Sequence, residues 1–256
     1  MRQLACICLV TVICLVAFLP SWGQAPAPRF RALAVYENGG HHIAYSKAAR
    51  PWLDKLAADS QFVIDYVNNM DSANESFLAR YQLIIQLDYP PYAWPSAAVA
   101  AFERYIKEGR GGWVGFHHAG LLGEFDGYKM WDWFSQFMGD IRFTNYIGDF
   151  AAGEVVVEDS THPVTRGLPR RFTIKREEWY TWNKSPRPQV RVLASVDEST
   201  YQPKSNTTMG DHPVIWTNPH VKARNVYIFM GHGPDLLENA AYTRLVSNAI
   251  HWAARK

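Results

Sequence analysis

Residues 111–120 read Gly-Gly-Trp-Val-Gly-Phe-His-His-Ala-Gly. Trp113–Phe116 is a short apolar run bounded by glycines, the mark of a buried strand. Gly115-Phe116-His117-His118-Ala119 then has the small-x-x-x-small form of a sharp strand-to-helix turn, where bulky neighbours would clash. In the hydrolases that use this elbow the central residue is a nucleophile. Here it is His117, which suits a general base, a metal ligand or a donor to a developing oxyanion.

Working outward, short apolar strands alternate with helical patterns. Leu33–Tyr36, Phe62–Val67 and Leu83–Leu87 read as strands. Ala44–Leu56 and Ser72–Tyr81 read as helices, the second with a Ser72/Glu75 capping box. Ser96–Lys107 is amphipathic and ends at Gly109. Such alternation predicts an α/β fold with a doubly wound, mostly parallel sheet and helices on both faces. From about 149 to 214 the helical period fades. Val155–Val157, Phe172–Ile174, Trp179–Trp182 and Val190–Ser195 predict an antiparallel β-rich insertion or sheet extension. Val226–Met230 returns to the buried-strand pattern, and Asn239–Ala254 closes the chain as a helix.

In an open parallel sheet, ligands bind beyond the carboxyl ends of the strands. The first strand is followed by Glu37-Asn38-Gly39-Gly40-His41-His42, the third by Asp88-Tyr89, the fourth by His117-His118, and the last core strand by Gly231-His232-Gly233. Histidine therefore collects where a site should form. A structural use for each, as a cap or loop bond, is the competing explanation.

The three cysteines, Cys6, Cys8 and Cys14, all lie near the start of the chain. Arg2, the uncharged apolar run Leu4–Leu19 and Ser21-Trp22-Gly23 form a signal-peptide pattern with cleavage after Gly23, and the run is short for a membrane span. Residues 24–30 read as a tether and 31–256 as one domain. The expected location is periplasmic or extracellular, without stable membrane insertion. The cleaved chain would hold no thiol nucleophile, thiolate metal site or disulfide. The 26 basic and 24 acidic residues leave a net charge of +2, which gives no pull toward nucleic acid.

Six segments resemble the ThuA-like (trehalose-utilisation) family, whose fold is like that of class I glutamine amidotransferases. They are GGHH at 39–42, GGWVGFHHAG at 111–120, THPVTRGLP at 161–169, EEWYTW at 177–182, HPVIWT at 212–217 and VYIFMGHG at 226–233. The resemblance implies a flavodoxin-like fold and a link to carbohydrate metabolism, including oxidised (keto) sugars. With His117 at the elbow in place of cysteine, amidotransferase chemistry is excluded. Carried over, the resemblance implies His117, Glu178 and His232 as catalytic groups. Gly40, His42, Asp88, His118, Tyr180 and Trp182 would bind substrate, the last two as a sugar-stacking side. His42, His118 and His232 could hold a divalent metal such as zinc, although no compact H-E-x-x-H spacing is present. The expected partner is a small carbohydrate. The expected function is an exported enzyme acting on a sugar or keto-sugar by His/Glu acid–base chemistry, with a non-catalytic sugar-binding module as the alternative.

Overall fold

A computed structural model describes residues 27–255 apart from 38 and 41. The leader, with its three cysteines, lies outside the described residues. The strands β1 (Arg31–Tyr36), β2 (Val63–Val67), β3 (Leu83–Leu87), β4 (Gly112–Phe116) and β11 (Asn225–Ile228) pair in parallel in the order β2-β1-β3-β4-β11. β3 and β4 are buried along their whole lengths, as strands covered on both faces must be. The edge strand β2 is only half-buried.

The region expected to be β-rich continues this same sheet. β6 (Ala151–Val157), β7 (Arg171–Glu177), β9 (Arg191–Gln202) and β10 (Pro213–Thr217) extend it in the order β11-β10-β9-β6-β7, every pair antiparallel. β6 alternates buried and half-buried residues along its length. β5 (Phe143–Tyr146) and β8 (Tyr180–Trp182) form a separate two-stranded ribbon.

Helices α1 (Ile43–Ser60) and α5 (Ala240–Ala253) meet around the 3-10 turn Pro234–Glu238, and α2 (Glu75–Leu78) packs on α3 (Ser96–Glu108). The α3 helix buries Ala98, Phe102, Tyr105 and Ile106 and stops at Gly109, which is left-handed as a C-terminal cap requires. Asn239 caps α5, accepting from the amides of Ala241 and Tyr242. The expected Ser72–Tyr81 helix is corrected to α2. Its cap is Asn74, whose Oδ1 accepts from the Phe77 amide at 2.9 Å, so the helix starts after Asn74 and the Ser72 box does not form. The structure adds a short helix, α4 (Asp132–Phe137), that the sequence pattern does not signal. Its apolar residues fill the space beside Trp113 and Phe102, with Phe134 and Phe137 as the contact rings.

Candidate functional site

Four chain segments meet at the carboxyl end of the parallel strands. Glu37 and His42 come from the β1–α1 loop, His117 and His118 from the end of β4, Glu178 from the residue after β7, and His232 from beyond β11. The β4 chain turns at once into the 3-10 turn His117–Gly120, and His117 takes φ +32° to do so. A non-glycine residue in that region is strained. Gly231 permits the approach of the β11 end: a Cβ there would lie 2.8 Å from the His117 Cβ and 2.7 Å from Asp88 Oδ1. The elbow therefore exists, with histidine at its tip.

His42, His117, Glu178 and His232 each direct one ligand-type atom to a common point, all within 4.8 Å of one another. His42 Nε2 lies 2.9 Å from His232 Nδ1. Glu178 Oε2 lies 3.4 Å from His117 Nε2, 3.5 Å from His232 Nδ1 and 4.0 Å from His42 Nε2. His42 and His117 are buried, and burial pushes their pKa values down to about 4 and about 3, so both are neutral near pH 7. Burial raises the Glu178 pKa, but the imidazoles of His117 and His232 outweigh it, and the carboxyl stays well below its usual range.

The far side of each ring fixes which nitrogen is bare. His117 Nδ1 faces the Phe229 carbonyl at 3.1 Å, a closer contact than that of Nε2 with Glu178, which favours the tautomer with the proton on Nδ1. His42 Nδ1 likewise donates to Glu37 Oε2 at 2.9 Å. The His117 Nε2 lone pair then faces the ionised Glu178 carboxylate, and that of His42 faces His232 Nδ1 at 2.9 Å with Glu178 at 4.0 Å. Lone pairs facing a carboxylate repel, and a cation between them converts the repulsion into binding. Three imidazole nitrogens and one carboxylate oxygen suit a divalent transition metal such as zinc, and carboxylate- or carbonyl-oriented histidine is the outer support such sites use.

His118 departs from the expected metal set. Its Nδ1 donates to Glu37 Oε2 at 3.1 Å, giving a second cluster of Glu37, His42 and His118. His117 and Glu178 take the converging positions instead. Burial raises the pKa of Glu37, but its bonds to His118 and His42 bring it down to about 2. Gly40 sits beside this carboxylate at φ +81°, where a Cβ would fall 2.3 Å from Glu37 Oε1.

The expected sugar-stacking side is corrected. Trp182 is 4% exposed, stacks edge-on against Trp216 and Phe229, and donates its Nε1 hydrogen to the Gly120 carbonyl. It is a core residue, because β8 folds over the end of β11 rather than facing solvent. Tyr180 is also buried, with its ring 4.5 Å from that of His117, and it walls the cluster. Asp88 is fully buried behind the histidines with neither carboxylate oxygen hydrogen-bonded, and burial together with Glu37 and Glu177 pushes its pKa well up. It lies away from any surface that could meet a substrate. His212, which opens the HPVIWT segment, lies outside the cluster and bonds Glu198 at 2.8 Å.

Two acids of the site escape sequence reasoning. Glu37 is visible there only as the first polar residue after β1. Glu177 is fully buried, accepts from the amides of Glu178, Gly231 and His232, and has its pKa raised by burial to about 7. The Glu-Glu pair at 177–178 is the available signal, although only its second member is singled out from the chain.

The sheet order and the elbow define an α/β protein of the class I glutamine amidotransferase-like fold. A GMP synthase subunit from Thermoplasma acidophilum shares that fold at 14% identity, TM-score 0.52, over 88% of this chain and 94% of that one. Residues 31–253 match the family described as ThuA, trehalose utilisation, and the chain belongs to that family. A ThuA-like protein from Bacteroides uniformis is 32% identical over 92% of this chain and 95% of that chain, with TM-score 0.79. A ThuA-like protein from Parabacteroides merdae is 20% identical over 89% and 90%, with TM-score 0.65. No curated protein matches the chain.

Proposed function

We propose that this ThuA-family protein is a divalent-metal-dependent enzyme acting on a sugar or keto-sugar. The observation that carries the reading is the convergence of three imidazoles and the Glu178 carboxylate, with the proton-bearing nitrogens of His42 and His117 turned away. A divalent ion held there supplies polarisation of a carbonyl or hydroxyl oxygen of the substrate. His42, His117, His232 and Glu178 would hold it.

The proton-transfer group is His118. Its Nδ1 is tied to Glu37, as an orienting carboxylate ties a catalytic imidazole, which leaves Nε2 to take or return a proton. Tyr180 and Phe229 line the inner side of His117 and exclude water from it. A carbon next to a keto group is acidic enough for an imidazole base to act on once the carbonyl is polarised, so keto-sugars suit this site. The reading includes export directed by residues 1–23, for which N-terminal sequencing of secreted protein is the check.

The test is turnover of glycosides and 3-keto-glycosides by metal-loaded protein, followed by chromatography of the products. His118→Ala should retain metal and lose turnover. Full activity in that variant would overturn the proton assignment, and sugar binding without turnover would favour a binding module.

A further inference from the structure

At the opposite end of β11 from the histidine cluster lies a groove of about 490 Å³ that the proposed reaction does not use. Arg166, Arg224, Arg244 and Arg255 line it, together with His251 and Trp252, and no carboxylate does. Four guanidinium charges thus share one groove in a chain whose net charge is only +2. Arg31, Arg104, Arg110, Arg171, Arg187 and Arg191 all stand in ion pairs. Among the described residues, no carboxylate lies within ion-pair distance of the four in the groove.

The groove is built from parts that hold one another in place. The Thr161–Pro169 turn brings Arg166, and the Asn248 side-chain amide on α5 donates to the carbonyls of Val164 and Arg166 at 3.0 and 2.9 Å. His162 is buried against the Trp252 ring, 4.6 Å between centroids, which seats the turn on the helix end. Arg244 Nη1 passes 3.1 Å from where a Gly167 Cβ would stand, so the bare glycine leaves the guanidinium its path across the turn. Arg224 donates to the Trp252 carbonyl at 3.2 Å, which uses part of one guanidinium on the helix terminus. The other three keep their donor faces for a ligand. Like charges gathered this way repel, and an anion that accepts forked N–H bonds removes the cost.

We infer that this groove is a binding site for a tetrahedral oxyanion, phosphate or sulfate, taken as the free ion or as the ester group of a small polar molecule. Trp252 and His251 give an ester's carbon frame a wall to lie against.

The test is isothermal titration of the full protein at low salt with inorganic phosphate, inorganic sulfate and glucose 6-phosphate. Saturable binding is expected, weakening as sodium chloride rises. The double substitution Arg166→Ala/Arg244→Ala should lower phosphate affinity at least about tenfold, while Arg171→Ala, which lies elsewhere, should not. Tighter binding of the sugar phosphate than of phosphate identifies an ester as ligand, and equal binding identifies the free ion. No saturable heat with any of the three overturns the inference. So does affinity unchanged in the double variant, because phosphate held at the histidine cluster would survive that substitution.

Discussion

His117 Nδ1 donates to the main-chain carbonyl of Phe229 across the β4–β11 pair, and this single bond determines what His117 can do. It favours the tautomer with the proton on Nδ1, whose Nε2 meets Glu178 at 3.4 Å without a hydrogen to give. The backbone of one strand thereby sets the donor atom carried by its neighbour. Because the bond is to backbone, no side-chain substitution at Phe229 removes it. The site is tuned instead through its carboxylates.

Glu37 is the first of these. It accepts from both His42 and His118. Glu37→Gln leaves the four converging atoms in place but weakens the orientation and basicity of His42. Metal affinity should fall by about 10- to 100-fold, measured by competition with a chromophoric chelator.

The histidines also set a pH dependence for the metal-free protein. The folded pKa values of His42 and His117, about 4 and about 3, lie below the ordinary histidine value. The unfolded chain therefore takes up protons first as pH falls, and stability is lost from about pH 6.5 downward. Glu177, raised to about 7, acts with the opposite sign, losing stability as pH rises from the ordinary carboxyl range. The buried Asp88, whose pKa is also raised, acts with Glu177 and opposes the two histidines over the same range. In Asp88→Asn, which removes one opposing acid, the urea midpoint should drop between about pH 7 and about pH 5, and a flat profile there would count against neutral, buried imidazoles.

Much of this is legible in the chain itself. The parallel strands are visible because β3 and β4 are short runs apolar but for Gln86, and the strand-end histidines follow from that topology. What stays hidden depends on three-dimensional reach. Strict alternation along 178–182 suggests that Glu178, Tyr180 and Trp182 share an open side. The ribbon β5–β8 instead folds over the core, which buries both rings, sets Tyr180 as a wall of the cluster and leaves only Glu178 converging on its centre. The exchange of roles between His117 and His118 turns on one positive φ at the elbow, which no spacing rule reveals. The start of α2 is ambiguous because two cap residues, Ser72 and Asn74, stand two apart and only tertiary context chooses between them.

Burial of Trp182 gives a test of that correction. Trp182→Ala should destabilise the fold by roughly 3–5 kcal/mol, by removing a large ring from a packed core. Denaturant unfolding reads this directly. An unchanged midpoint with weakened sugar binding would restore the stacking role.

Asp88 offers a gain of stability. Its carboxylate oxygens are buried without partners, and its raised pKa means that its stability contribution is present at low pH and lost as pH rises. Asp88→Asn cannot ionise. Its melting temperature should exceed that of the parent at about pH 8, with the difference shrinking toward about pH 4.

The central claim is the metal centre, and elemental analysis tests it most directly. Protein loaded with zinc or manganese and then desalted should carry about one equivalent of divalent transition metal, with His42→Ala and His232→Ala carrying far less. Absence of metal from the loaded protein, or equal content in both histidine variants, would contradict the account.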